Sequence, residues 1–249
     1  VRLLQLAGYK KSGKTALAEA LITRAASRGE TCAVIKNIHG DLGLTGKDDG
    51  ERFLQAGAQT AYLHRDGLTD TLSRTGGVMD LVRRSLGRCD ILLIEGFKET
   101  AFPCIWCGST DIPGEVKGPV LARFFMDSSQ REPEKGEFCL YTLGEETLEA
   151  LDLIVERLPA FPAGLDCGLC GTDCLGLYRR RLENTEARCP VQEGEKAVTL
   201  SVNGKEVSLM PFVQSLLRET VKGFIKELKG YEEGSAEIII HHQTKEEKL

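Results

Sequence analysis

The chain contains no run of eighteen apolar residues, so no membrane-spanning helix is expected. It also has no excess of basic charge. Thirty-two Lys and Arg stand against thirty-seven Asp and Glu, giving a net charge of −5, which offers no general footprint for nucleic acid. The first residues pass straight into a strand pattern instead of a charged and then apolar leader, so a cytoplasmic location is expected. No internal repeat is visible, and no Asn-Lys-x-Asp tetrapeptide is present to read guanine, so the residues alone leave GTP and ATP both open. What remains is an ordinary soluble composition, 41% hydrophobic and 28% charged over 249 residues, enough for one large or two small domains.

The strongest motif is Gly8-Tyr9-Lys10-Lys11-Ser12-Gly13-Lys14-Thr15, which fits G-x-x-x-x-G-K-[ST]. Leu3 to Ala7 before it reads as a buried strand, and Thr15 to Ile22 after it reads as a helix. A loop in that setting aims backbone N–H groups and the positive end of the helix dipole at one point. The expected phosphate cradle is Gly8, Tyr9, Lys10, Lys11, Ser12, Gly13, Lys14, Thr15 and Ala16. Lys14 would face the β- and γ-phosphates, and the Thr15 hydroxyl would face Mg²⁺.

Alternation continues beyond the loop. Strands are expected at 31–36, 61–64, 91–94, 104–107, 120–124 and 138–141, and helices at 51–56, 78–86 and 145–158. The apolar run Ile91-Leu92-Leu93-Ile94 has the look of a central parallel strand covered on both faces. Strand–helix alternation predicts a doubly wound, mostly parallel α/β sheet of the P-loop NTPase kind. Ligands of such sheets bind beyond the carboxyl ends of the strands. That favours Glu95, at the end of this run, over Asp90, at its start, as the acid near the metal. The loop after residue 36 lies at the same edge and gathers Lys36, His39, Asp41, Lys47, Asp48 and Arg52.

The order of Gly8–Thr15, Ile35-Lys36-Asn37-Ile38-His39-Gly40-Asp41, Gly46-Lys47-Asp48, Ala56-Gly57-Ala58 and Ile94-Glu95-Gly96-Phe97-Lys98 resembles the MobB family, molybdopterin-guanine dinucleotide biosynthesis protein B, over about residues 1–158. Asn37 and Gly40 stand where that family often has histidines. The resemblance implies a GTP-binding accessory protein, usually dimeric, whose partner is a molybdopterin guanylyltransferase or a molybdo- or tungstoenzyme. It implies weak GTPase activity at most, with Lys14, Asp41 and Glu95 as the catalytic set and Thr15 and Glu95 near Mg²⁺.

Pro159, Pro162 and Gly164 mark a boundary, dividing an expected nucleotide domain at 1–160 from a smaller α+β unit at 161–249. Four of the nine cysteines fall in that second part, as Cys167-x₂-Cys170-x₃-Cys174-x₁₄-Cys189-Pro190. Such a cluster in a reducing compartment points to metal ligation, by an iron–sulfur cluster or zinc. Residues 161–171 also resemble the small four-cysteine [4Fe–4S] domain of corrinoid iron–sulfur proteins and electron-transport subunits, a match over roughly residues 161–190 with one residue fewer between the second and third cysteines. The resemblance implies a [4Fe–4S] cluster on Cys167, Cys170, Cys174 and Cys189. Two further readings follow, a nucleotide-gated redox protein and a scaffold with a structural cluster. Beyond the cysteines, Asn203-Gly204 predicts a hairpin, Pro211 opens a helix reaching about residue 229, and 236–241 reads as a last strand. Cys104-x-x-Cys107 is read as buried packing, because residues three apart on a strand face opposite sides.

Overall fold

Leu3, Leu4, Leu6 and Ala7 are fully buried along β1 (Arg2–Gly8), and each packs on one of two opposite faces of the same sheet. A strand must be covered on both sides to read as a continuous apolar run, and the fold supplies that cover. The computed structural model describes residues 1–38, 60–65, 68–73, 77–127, 137–184, 186–194, 198–202, 204–232, 234 and 236. After β1 come α1 (Lys14–Ser27), β2 (Cys32–Lys36), β3 (Thr60–Arg65), β4 (Leu68–Ser73), α2 (Val78–Ser85), β5 (Ile91–Glu95), β6 (Cys104–Cys107), β7 (Val120–Phe125) and β8 (Cys139–Tyr141). Then follow α3 (Glu145–Arg157), α4 (Cys174–Glu183), α5 (Pro190–Glu193), β9 (Leu200–Val202), β10 (Lys205–Val207) and α6 (Pro211–Lys226).

Six strands form one sheet in the order β2-β5-β1-β6-β7-β8. Every pairing in it is parallel, as strand–helix alternation requires. Leu4, Leu6, Ile91 and Leu93 face α1 and α3, while Leu3, Leu92 and Ile94 face α2 and α4. Cys104 and Cys107 behave in the same alternating way. Both are fully buried, each in a different cluster. Burial pushes both thiols up to about 12, so they pack as neutral groups.

Two hairpins stand outside the sheet, β3–β4 and β9–β10, both antiparallel. The second was expected at Asn203-Gly204. The first was not, although Asp66-Gly67 between its strands is a two-residue turn signal. The helix expected at 51–56 lies outside the described residues, and so does the strand expected at 236–241 beyond its first residue.

The segment after Pro159 packs against the sheet. Phe161 and Tyr178 lie in the second-face core, their rings 5.1 Å apart. The Tyr178 hydroxyl donates to the Leu3 carbonyl at 3.1 Å, and Arg181 reaches the Ala160 carbonyl at 2.7 Å. Residues 161–193 therefore complete the cover of β1 and β5. The apolar residues Phe212, Leu216, Phe224 and Leu228 of α6 and its C-terminal flank remain exposed.

The single tryptophan, Trp106, is fully buried in the sheet and reports on it directly. Tyr178→Ala is expected to destabilise the Trp106 unfolding transition by about 3 kcal/mol, the scale for emptying a large aromatic site. A Trp106 transition unmoved by this change in urea titration would show that α4 adds nothing to the sheet.

Candidate functional site

The loop between β1 and α1 is shaped by its glycines. Gly13 has φ +88°, a left-handed conformation, and a Cβ there would fall 2.6 Å from Met126 Cγ. Gly8 lies so close to β6 that a Cβ would meet the Cys107 carbonyl oxygen at 2.3 Å. No side chain caps the first turn of α1, and no acidic residue occupies that turn. Its leading N–H groups thus stay available to an anion. Lys14 Nζ donates to the Tyr9 carbonyl at 2.5 Å and lies 3.3 Å from Ser12 Oγ, arching over the loop.

The register of the sheet brings the other groups in. Glu95, the last residue of β5, is paired with Leu6 on one side and with Lys36, the last residue of β2, on the other. Its nearly buried carboxylate accepts from the Thr15 hydroxyl at 3.1 Å and pairs with Lys36 Nζ at 3.1 Å. Lys36 Nζ is also 3.2 Å from Thr15 Oγ1. Thr15, Glu95 and Lys36 therefore meet at one point beneath the loop. Asp90 lies at the opposite edge, where Thr31 donates to its Oδ2 through N at 2.8 Å and through Oγ1 at 2.7 Å. Those hydrogen bonds hold its carboxyl below the usual range.

A cleft of about 710 Å³ opens over these residues. Among the described residues, Lys10, Lys11, Lys14, Lys36 and Lys98 line it against Glu95 and Glu99, a balance that attracts a polyanion. Tyr9 sits at its rim, with Lys98 Nζ 4.7 Å from its ring centre and Trp106 packed against it edge to face. A hydroxyl and a carboxylate, both hard oxygen donors, suit Mg²⁺, and the ammonium already seated against both shows that the position favours a cation. His39, Asp41, Lys47, Asp48 and Arg52 lie outside the described residues.

Gln5 went unnoticed in the sequence, where its only signal is a lone amide inside Leu3-Leu4-Gln5-Leu6-Ala7. It is fully buried, and its Nε2 donates to the carbonyls of Gly96 at 2.6 Å and Phe97 at 2.7 Å, with Thr100 Oγ1 at 3.1 Å. This amide pins the turn that follows Glu95, where Phe97 adopts φ +54° and Gly96 φ +95°.

The cysteine segment is arranged otherwise than its spacing suggests. Cys167, Cys170 and Cys189 pack with Leu177 and Val191 in a small satellite cluster. Cys174 faces the sheet-side core, and its sulfur accepts from Asp166 N at 3.3 Å. Burial pushes the Cys174 thiol up. Burial would also raise Asp166, but the backbone N–H of Cys174 and the Arg83 guanidinium hold its carboxyl below the usual range. Among the described residues no group of three or more His, Cys, Asp or Glu side chains is placed to hold a metal ion. The expected four-sulfur [4Fe–4S] or zinc site on Cys167, Cys170, Cys174 and Cys189 thus finds no support among the described residues, where Cys174 belongs to a different core from the other three.

The parallel sheet, the glycine loop opening α1 and the acid ending the neighbouring strand together define a P-loop α/β protein of the nucleotide-binding class. Residues 3–115, under half of the chain, match the family model described as molybdopterin guanine dinucleotide synthesis protein B, MobB. A putative molybdopterin-guanine dinucleotide biosynthesis adapter protein of Methanocaldococcus jannaschii is 26% identical over 232 residues, covering 92% of this chain and 93% of the relative. A probable adapter protein of the same description from Bacillus subtilis is 31% identical over 109 residues, 41% of this chain and 61% of that protein. The crystal structure of Bacillus subtilis MobB aligns with a TM-score of 0.51 at 21% identity, covering 63% of this chain and 99% of that one, which bears on the fold. The N-terminal part of this chain is MobB-like in sequence and in fold. The archaeal match runs over nearly the whole length, so it takes in most of the cysteine segment as well. Among the described residues no helix is long and apolar enough to cross a membrane.

Gln5→Leu strips the hydrogen-bond donors from two carbonyls of the 96–100 turn, at a cost of about 1–3 kcal/mol. The expected result is amide exchange in residues 96–100 faster by roughly five- to a hundredfold with β6 and β7 unchanged. Unaltered exchange in that turn would show that the amide does not hold it.

Proposed function

We propose that the chain is a molybdopterin-guanine dinucleotide biosynthesis adapter that binds GTP with Mg²⁺ in the cleft over Gly8–Ala16 and presents it to a partner molybdopterin guanylyltransferase. The observation that carries this reading is the meeting of Thr15 and Glu95 beneath an uncapped helix N-terminus, in the segment that matches the MobB family. The full-length likeness to the archaeal adapter supports the same role.

In this reading the backbone of Gly8–Gly13 and the first turn of α1 hold the phosphate oxygens, and Lys14 swings from the Tyr9 carbonyl to the terminal phosphates. Mg²⁺ supplies charge neutralisation between phosphate oxygens when it is bound. The Thr15 hydroxyl and the Glu95 carboxylate would hold it. Glu95 is fixed by its place on β5 between two strands, so it orients ligands without moving itself. Asp41 is proposed as a further member of the catalytic set, on the family resemblance alone. Hydrolysis without a partner would be slow in this reading, because among the described residues the cleft-lining cations are lysines and none is an arginine finger. The exposed apolar residues Phe212, Leu216, Phe224 and Leu228 support assembly with another chain, a second copy or the guanylyltransferase.

Lys14→Ala removes a charge-assisted contact to phosphate worth about 1.5–3 kcal/mol, so GTP affinity is expected to fall roughly ten- to a hundredfold. Equilibrium binding of GTP and ATP to wild type and variant checks both the site and the base preference. GTP affinity retained by the variant would move the nucleotide elsewhere, and equal affinity for ATP would remove the guanine part of the reading.

A further inference from the structure

Lys36 occupies an unusual position for a lysine. It ends β2, an edge strand, and its ammonium turns inward to lie 3.1 Å from Glu95 Oε2 and 3.2 Å from Thr15 Oγ1. Those are the same two side chains whose oxygens suit a divalent cation. A Mg²⁺ bound at about 2.1 Å to both oxygens would lie within roughly 4 Å of that ammonium on geometry alone. Two like charges at that separation beside a nearly buried carboxylate repel strongly. Glu95 is 10% exposed at its side chain and Lys36 45%, so the lysine, not the glutamate, is free to leave. Its flexible stem lines the same cleft as Lys14, and the nearest new anion on nucleotide binding is the terminal phosphate.

We propose that Lys36 is a built-in counter-cation of the metal position. In the nucleotide-free chain its ammonium holds Thr15 and Glu95 together, and entry of a divalent cation with nucleotide drives it off Glu95 towards the phosphates. The site therefore resists a bare divalent cation and accepts one only with the polyanion that gives Lys36 a new partner. This inference rests on the nucleotide–Mg²⁺ reading above, and its test is chosen to stand apart from that reading.

The test is Mn²⁺ binding to the nucleotide-free protein, read from the free-ion electron paramagnetic resonance signal. Lys36→Met keeps the stem and removes the charge, and it is expected to tighten Mn²⁺ binding by at least about tenfold, the scale of losing one close like charge. Glu95→Gln in the same background should abolish the gain. Lys36→Arg keeps the charge and should not bind Mn²⁺ more tightly than wild type. Lys98→Met, which removes a cleft charge that touches neither Thr15 nor Glu95, is expected to change Mn²⁺ affinity by less than about threefold. Equal Mn²⁺ affinity in wild type and Lys36→Met, or an equal gain in Lys98→Met, overturns the proposal. GTP binding to the same preparations reads the nucleotide assignment separately. Its absence from wild type would defeat that assignment, while the Mn²⁺ comparison would still decide what Lys36 does.

Discussion

The contact between Thr15 and Glu95 is the constraint around which the site is built. It needs three strands in parallel register, β2, β5 and β1, because only then do Lys36, Glu95 and the start of the glycine loop end at the same edge. A slip of one residue in either pairing would turn Glu95 to the opposite face of the sheet, away from Thr15, since neighbouring strand residues point to opposite sides. The apolar residues of β5, buried along its whole length, fix that register. Packing energy in the core is thereby converted into placement of one hydroxyl, one carboxylate and one ammonium at the carboxyl edge.

Other parts of the molecule serve the same placement. Arg24 and Arg28 of α1 and its flank pair with Asp152 of α3 at 2.9 and 2.7 Å, which anchors the far end of the helix whose near end faces the cleft. Gln5 ties the turn after Glu95 to β1 from beneath. The cysteine-bearing segment lays Phe161 and Tyr178 over the second face of β1 and β5. Its most evident part in this structure is mechanical, covering the strands that carry the loop and the acid.

Much of this was legible from the sequence for definite reasons. The glycine loop announces itself because Gly8 and Gly13 occupy backbone positions where a side chain would collide with β6 or Met126. The central strands are visible because both faces are buried, leaving an unbroken apolar run at 91–94. The choice of Glu95 over Asp90 as the residue near Thr15 needed only the direction of the strand. Gln5 and Lys36 were harder, because their partners lie 91 and 59 residues away and no local pattern encodes such contacts. The cysteine spacing is a case where the described residues give the sequence reading no support. Three thiols within eight residues suggest a shared ligand, but Cys174 opens α4 and is turned by that helix into the core of the sheet.

The central claim is that the cleft over Gly8–Ala16 holds a nucleotide whose metal lies at Thr15 and Glu95. A crystal structure of the protein with Mg²⁺ and a non-hydrolysable GTP analogue tests it most directly. The account expects phosphates against the Gly8–Gly13 backbone, a metal within the reach of Thr15 Oγ1 and Glu95, and Lys36 withdrawn from that carboxylate. Nucleotide bound elsewhere, or a metal in the cleft that neither Thr15 nor Glu95 approaches, would contradict it.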